Sequence, residues 1–422
     1  MRAAPTDRLP RSLVRLSADG WLLLATRALR LFAGGYVSVI LALYLGELGL
    51  GLSAIGAIFT AALAGSAVLT VVAATGDRVG RRRLLIATSA LMAFAGLVFA
   101  FTDSLWLLVT AAFIGVISPG GGDVGSSLAL EQAAMAETVA PVHRTAVFAW
   151  GNLVASAASA LGALAAGVPT LILQNGVGAV DAYRLTLLGY AGCGLVLIGL
   201  FARLSPAVEP PASSDQGKKR WLPLHRSRGL ITRFAALLAL NSFAASFVVQ
   251  AFVAYWFYTR FGADAATLGV IFFLTNTAGA LSYLAAAKIA TRFGLINTMV
   301  FTHLPSNLLL MLVPAMPTLE LAVLVLVMRH ALSQMDRPAR ESYTMAIVAP
   351  DERTAAASLI SIATDTAAAL ALAVVGVMAQ FVTPGAFFVV AGLLRCVYNG
   401  ALFGLFRHIR PPEEVDATRS IN

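Results

Sequence analysis

Apolar runs separated by polar or Pro/Gly breaks divide the chain into twelve predicted spans. They lie near 21–46, 53–75, 84–101, 105–136, 145–168, 184–203, 230–258, 267–287, 295–313, 319–345, 354–379 and 385–407. Each is close to the roughly 20 apolar residues a helix needs to cross the hydrocarbon core. The runs are rich in Ala, Leu, Gly and Val and lack the alternation of outer-membrane strands. Helices are therefore expected, because a spanning helix satisfies its own backbone hydrogen bonds. The fourth and tenth runs are long, and each is expected to include an amphipathic or exposed last turn.

Composition agrees with a membrane protein. Of 422 residues, 59% are hydrophobic and only 12% charged, and the mean hydropathy is +0.81. The net charge of +9 would raise nucleic acid as a partner in a soluble domain. Here the positive residues fall in alternate connections: Arg2, Arg8, Arg11 and Arg15, then Arg78 and Arg81 to Arg83, Arg144, Lys218 to Arg220, Lys288 and Arg292, Arg353, and Arg407 and Arg410. The opposite connections hold little beyond Arg184 and Arg260. This asymmetry predicts that the bilayer is the partner, that both termini are cytoplasmic and that nucleic acid is not bound. Cys193 and Cys396 fall inside apolar runs with no metal-ligand spacing, so they read as packing residues. No metal site, cofactor site, phosphate-binding loop or catalytic triad stands out, so neither an enzyme nor direct ATP coupling is expected. Residues 1–20 are polar and basic, and the run after them is too long for a signal-peptide core.

The two halves repeat. Ala140-Pro141-Val142-His143-Arg144-Thr145-Ala146 matches Ala349-Pro350-Asp351-Glu352-Arg353-Thr354-Ala355. Gly56-Ala57-Ile58-Phe59 matches Gly269-Val270-Ile271-Phe272, Arg78-Val79-Gly80 matches Arg292-Phe293-Gly294, and Gly199-Leu200-Phe201 matches Gly404-Leu405-Phe406. The matches keep their order and nearly the same offset. The predicted organisation is a cytoplasmic tail (1–20), a six-helix bundle (21–205), a Pro/Ser-containing then basic linker (206–229), a second six-helix bundle (230–407) and a tail (408–422).

Between the second and third spans lies Gly76-Asp77-Arg78-Val79-Gly80-Arg81-Arg82-Arg83, with a fainter copy at Lys288-Ile289-Ala290-Thr291-Arg292-Phe293-Gly294. The first loop resembles the signature of major facilitator superfamily transporters, with Ala73 in place of the leading glycine. The resemblance extends from about Leu22 to Arg407. It implies an all-α fold of twelve transmembrane helices in two six-helix pseudo-repeats, with a solute path between the halves near the midplane. It implies that Asp77, Arg78, Gly80, Arg81 and Arg82 form a gating loop, with the acid touching the helix that begins near Thr354. In the second copy Thr291 replaces the acid. Simple anchoring of the loop by its arginines is the alternative.

Ionisable residues inside spans are costly and mark candidate sites. Spans one, four, seven and ten line the cavity in the resembled fold, which implies Arg30, Asp123, Asn241, Gln250 and Arg329 as its polar lining. Internal pairing is the alternative: Arg329 with Asp365, and Arg340 with Glu341 or a neighbouring carboxylate. Arg27 lies nearer the cytoplasm and is placed to snorkel. Arg395 sits on a peripheral span and has no evident role. Asp123 and Asp365 are the candidates for proton coupling, ahead of His303 and His330. Ser118-Pro119-Gly120-Gly121-Gly122-Asp123 and Asp336-Arg337-Pro338-Ala339-Arg340 are expected to break the fourth and tenth helices at corresponding places. The fifth span lacks a clean glycine-proline antiporter motif, although Gly167-Val168-Pro169 comes near its end.

The expected protein is a monomeric transporter of a small molecule in the cytoplasmic (inner) membrane, working by alternating access. Proton-coupled efflux of a drug-like or toxic compound is the first expectation. Arg30 and Arg329 motivate uptake or exchange of an organic anion as the alternative, and a transport-incompetent sensor of the same fold is a third.

Overall fold

A computed structural model describes residues 16–73, 80–120, 144–209, 227–348 and 352–409, together with Ser127, Leu130, Glu131, Ala134 and Met135. The first half contains α1 (Ala18–Glu47), α2 (Leu52–Ala73), α3 (Arg81–Phe101), α4 (Leu105–Ile114), α5 (Arg144–Ala165), α6 (Val168–Gln174) and α7 (Ala179–Phe201). The second contains α8 (Arg228–Ser246), α9 (Gln250–Phe261), α10 (Ala265–Phe293), α11 (Leu295–Leu312), α12 (Leu319–Ser333), α13 (Asp336–Ala346), α14 (Arg353–Met378) and α15 (Ala386–Phe406). No strand occurs among the described residues.

Ten helical segments among the described residues are long and apolar enough to cross a membrane. The fourth and tenth spans complete the twelve, and each is interrupted among the described residues. In the fourth, α4 ends at Ile114, and Gly115 is extended with φ −80° and ψ 167°. The break therefore begins before the Ser118–Asp123 segment in which it was expected. Glycine permits this, because a side chain there would collide with Ala95 of α3. The tenth span is divided between α12 and α13, and α13 carries Asp336, Arg337, Arg340 and Glu341. Its break falls at Gln334 and Met335, not at Pro338. Proline is tolerated in a first helical turn, where its missing N–H has no intrahelical partner anyway. The seventh span is also broken, between α8 and α9, with Val249 extended. The sequence predicts a single run there.

Each major packing in the first half has a counterpart in the second. The pairs α1–α5, α3–α7, α1–α7 and α2–α4 correspond to α8–α14, α11–α15, α8–α15 and α10–α12. Small residues make the closest approaches possible. Gly35 of α1 lies on the Ser159 carbonyl of α5, and Gly162 of α5 lies on the Phe32 carbonyl of α1, so neither position has room for a Cβ. The repeated Arg-x-Gly loops end alike. Gly80 (φ 103°) and Gly294 (φ 82°) precede α3 and α11 in a left-handed conformation that side chains resist.

The halves join through α2 against α14 and α5 against α10, a two-fold-related pair of contacts. Gly56 of α2 meets Gly376 of α14 so closely that a Cβ on Gly56 would stand 2.6 Å from the Gly376 Cα. A Cβ on Gly269 of α10 would stand 2.6 Å from the Ala163 carbonyl oxygen of α5. The Tyr258 hydroxyl donates to Glu47 at 2.8 Å, and Phe59 and Phe252 stack with centroids 5.2 Å apart. All these residues lie toward the end of the molecule away from the start of α1.

Candidate functional site

At mid-depth the halves meet through polar groups on broken helices. Gln250 Nε2, at the start of α9, donates to Ser38 Oγ of α1 at 3.0 Å. The next amide, Ala251 N–H, donates to the Pro119 carbonyl at 3.1 Å. The first N–H groups of a helix have no intrahelical partner, and the Pro119 carbonyl lies in a segment that has left helical geometry. Two chain breaks, one in each half, thus supply each other's missing hydrogen bond. Irregular backbone at membrane depth is stable only when buried in protein or lining a wet cavity. Asn241, nine residues earlier on the same span, is buried and its Oδ1 has no hydrogen-bond partner.

Arg30 points into its own half. It donates to Glu131 through Nε at 3.1 Å and Nη2 at 2.6 Å, a two-pronged ion pair. Thr88, Ser89, Met92, Val116 and Phe201 surround the pair, and Glu131 is 2% exposed. Arg27 does not snorkel. It is buried, and its Nη2 donates to Asn152 Oδ1 of α5 at 2.9 Å. Neutral amides and carboxylates inside the bundle thus hold both first-span arginines away from water.

In the second half, Arg329 is buried, and its Nη1 lies 3.2 Å from His330 Nε2. Arg340 approaches Asp336 at 3.8 Å, one turn away on the same helix. Asp365, half-buried on α14, accepts from the Ser361 hydroxyl at 3.4 Å. The Arg329–Asp365 pairing weighed from sequence does not form. Asp365 is bonded within its own helix.

Asp77, Arg78 and Asp123 lie outside the described residues. The described part of the basic loop is anchored within the first half. The Glu209 carboxylate accepts from Arg81 N–H at 2.7 Å and Arg82 N–H at 3.1 Å, at the N-terminus of α3. A carboxylate is favoured there by the exposed N–H groups and the helix dipole. Arg81 Nη1 also donates to the Val208 carbonyl at 3.3 Å, and Arg82 Nη2 to the Ala202 carbonyl. Asp19 of α1 accepts from Ser205 N–H and Oγ at 3.0 and 2.5 Å. Sequence reasoning missed Glu209, whose partners lie 128 and 127 residues away. No group of His, Cys, Asp and Glu able to hold a metal occurs among the described residues.

Two repeated six-helix halves meeting at broken helices constitute the architecture of a multi-pass membrane transporter. Residues 23–333 match the Major Facilitator Superfamily, and the chain belongs to that family. It is 27% identical over 424 residues to an uncharacterized membrane protein of Saccharomyces cerevisiae, YJR124C, covering 91% of this chain and 95% of the yeast protein. Among solved structures it resembles a variant of the nucleoside transporter NupG, with a TM-score of 0.71 and 14% identity over 92% of this chain and 100% of NupG. The E. coli xylose transporter XylE, in an inward-open conformation, has a TM-score of 0.68 and 16% identity over 92% of this chain and 96% of XylE. The human organic anion transporter MFSD10 has a TM-score of 0.60 and 18% identity over 93% of this chain and 100% of MFSD10. At these identities the likeness concerns the fold.

Proposed function

We propose that this chain is a proton-coupled secondary transporter that exports a neutral or cationic drug-like solute by alternating access. The observation that carries the alternating-access reading is the junction itself. The halves are closed at the end away from α1's start through Gly56–Gly376 and Tyr258–Glu47. They touch at mid-depth through Gln250–Ser38 and Ala251–Pro119. With residues 21–205 and 230–407 as the two moving bodies, 206–229 as a cytoplasmic linker and both termini inside, the closed end is extracellular. A monomer in the cytoplasmic membrane is sufficient for this cycle.

The choice of solute class follows from where the charges go. Arg30 is engaged by Glu131, and Arg329 is buried beside His330, so neither is offered to an organic anion in this conformation. Asp365 is held by one hydroxyl. No cation pairs with it among the described residues, and a charged carboxylate at membrane depth is costly, which favours its taking up a proton or a cationic solute. Asp123 remains a second candidate for coupling, and Asp77 the candidate for gating against the helix near Thr354.

The test is a thermal-shift panel of hydrophobic cations, neutral drugs, sugars and organic acids on the purified protein at two pH values. A ligand that binds the folded state raises its melting temperature. Stabilisation by the cationic or neutral class, dependent on pH in the native protein but not in Asp365→Asn, is the expected outcome. Stabilisation by organic acids alone would move the assignment to anion exchange.

A further inference from the structure

The second half holds a buried polar cluster carried by α11, α12 and α15. Helices α11 and α15 pack antiparallel, with the Phe301 and Phe403 rings 5.7 Å apart and His303 6.3 Å from Tyr398. A Cβ on Gly392 of α15 would lie 3.0 Å from the Asn307 carbonyl of α11. This register sets Asn307 level with Arg395, and His303 level with Asn399. Asn307 and Asn399 are 0% exposed, and neither the oxygen nor the nitrogen of either amide has a hydrogen-bond partner. Arg395 and Arg329 are each 8% exposed, and the Nε of each is unpartnered. The Ser306 hydroxyl of α11 donates to the Arg329 carbonyl at 3.2 Å, which brings Arg329 of α12 beside Asn307. Asp336 of α13 approaches Arg340 at 3.8 Å.

Buried charges are normally paired or bound to an ion, and buried amides are normally hydrogen-bonded. A lone unsatisfied donor costs stability. We infer that the space between α11, α12 and α15 binds one small monovalent anion, with Arg329 and Arg395 supplying charge and the Asn307 and Asn399 amides supplying further N–H donors. Met311 and the Asn307 carbonyl pack closely on Gly392, so the proposed ligand is a small ion and not an organic solute. The site lies inside the second half, away from the mid-depth junction, and stands independently of the solute assigned above. Arg395, which the sequence leaves without a role, is its central cation.

The test uses the full chain purified in gluconate, a bulky anion. Chloride, bromide, nitrate and inorganic phosphate are titrated singly, reading melting temperature and equilibrium binding of radiolabelled chloride. Saturable binding of one chloride per chain is expected, with stabilisation by chloride, bromide and nitrate exceeding that by phosphate. Arg395→Gln should weaken binding at least about tenfold, while Arg203→Gln, at an exposed position beyond α7, should not change it. If Arg395→Gln does not fold, Asn399→Leu replaces an amide by an apolar group of similar volume and should likewise weaken chloride. No saturable chloride binding to the native protein, or unchanged affinity in either variant, would overturn the inference.

Discussion

Replacing Gly56 by Val tests the junction directly. A Cβ on Gly56 would lie 2.6 Å from the Gly376 Cα, 3.1 Å from its amide nitrogen and 3.5 Å from the Leu372 carbonyl. All three are helix backbone atoms, which cannot rotate aside as a flexible side chain would. Overpacking of this kind costs about 1–3 kcal/mol. In a conformation where α2 and α14 have separated at this end, the cost vanishes. The change in helix propensity acts on both conformations and cancels. The closed conformation should therefore lose about 5- to 150-fold in relative population. The assay is electron-electron distance measurement between spin labels at Asn175→Cys and Gln380→Cys, exposed positions at the closed end, with Cys193 and Cys396 replaced. Gly56→Val should shift the distribution toward longer distances. Gly400→Ala, whose Cβ meets nothing within 4 Å, should leave it unchanged. An unaltered distribution in Gly56→Val would refute the claim that this contact holds the end shut.

Arg30→Met should destabilise the protein by about 3–5 kcal/mol, because the buried Glu131 carboxylate loses its two-pronged bond to Arg30, and Arg30→Met with Glu131→Leu should recover most of that loss. Thermal unfolding measures both, and equal stability of the single variant and native protein would return Arg30 to the solute site. Glu209→Ala should cost about 0.5–2 kcal/mol by uncapping α3, seen as faster proteolysis in the linker predicted from sequence at 206–229. Unchanged cleavage would mean that the Arg81 and Arg82 amides find another acceptor. Tyr258→Phe removes the bond to Glu47 and should lengthen the same spin-label distances in a smaller fraction of molecules than Gly56→Val does. Asp77→Asn should slow solute flux if the loop gates the cytoplasmic end, and flux at the native rate would discard that role.

Much of this architecture is legible in the sequence because membrane burial imposes a coarse rule that composition obeys. The twelve spans follow from apolar runs, and the repeat of Arg-x-Gly becomes the matched left-handed entries at Gly80 and Gly294. The fourth and tenth spans stand out in the sequence by their Gly, Pro and charges, and among the described residues each is interrupted, at Gly115 and at Gln334–Met335. The positions of the breaks are less legible. Pro338 is absorbed into the first turn of α13, and the seventh-span break has no proline or glycine to mark it, only Val248 and Val249 ahead of Gln250. Side-chain partners are the least legible of all. Arg27 and Arg30 lie on one face one turn apart, yet one bonds Asn152 and the other Glu131. Glu209 caps a helix more than a hundred residues away, and Arg395 gains its significance from Asn307 and Arg329 on other helices. Such choices depend on tertiary packing, which no local pattern encodes.

Proton-driven export requires a proton to move inward in exchange for each solute carried out. The most direct measurement reconstitutes the native protein into proteoliposomes carrying an internal pH-sensitive dye and adds the compound that most raises its melting temperature. Solute flux accompanied by proton movement in the native protein, with proton movement lost in Asp365→Asn, is the predicted result. Tight binding of the same compound with neither flux nor proton movement would contradict the account and assign the fold to sensing.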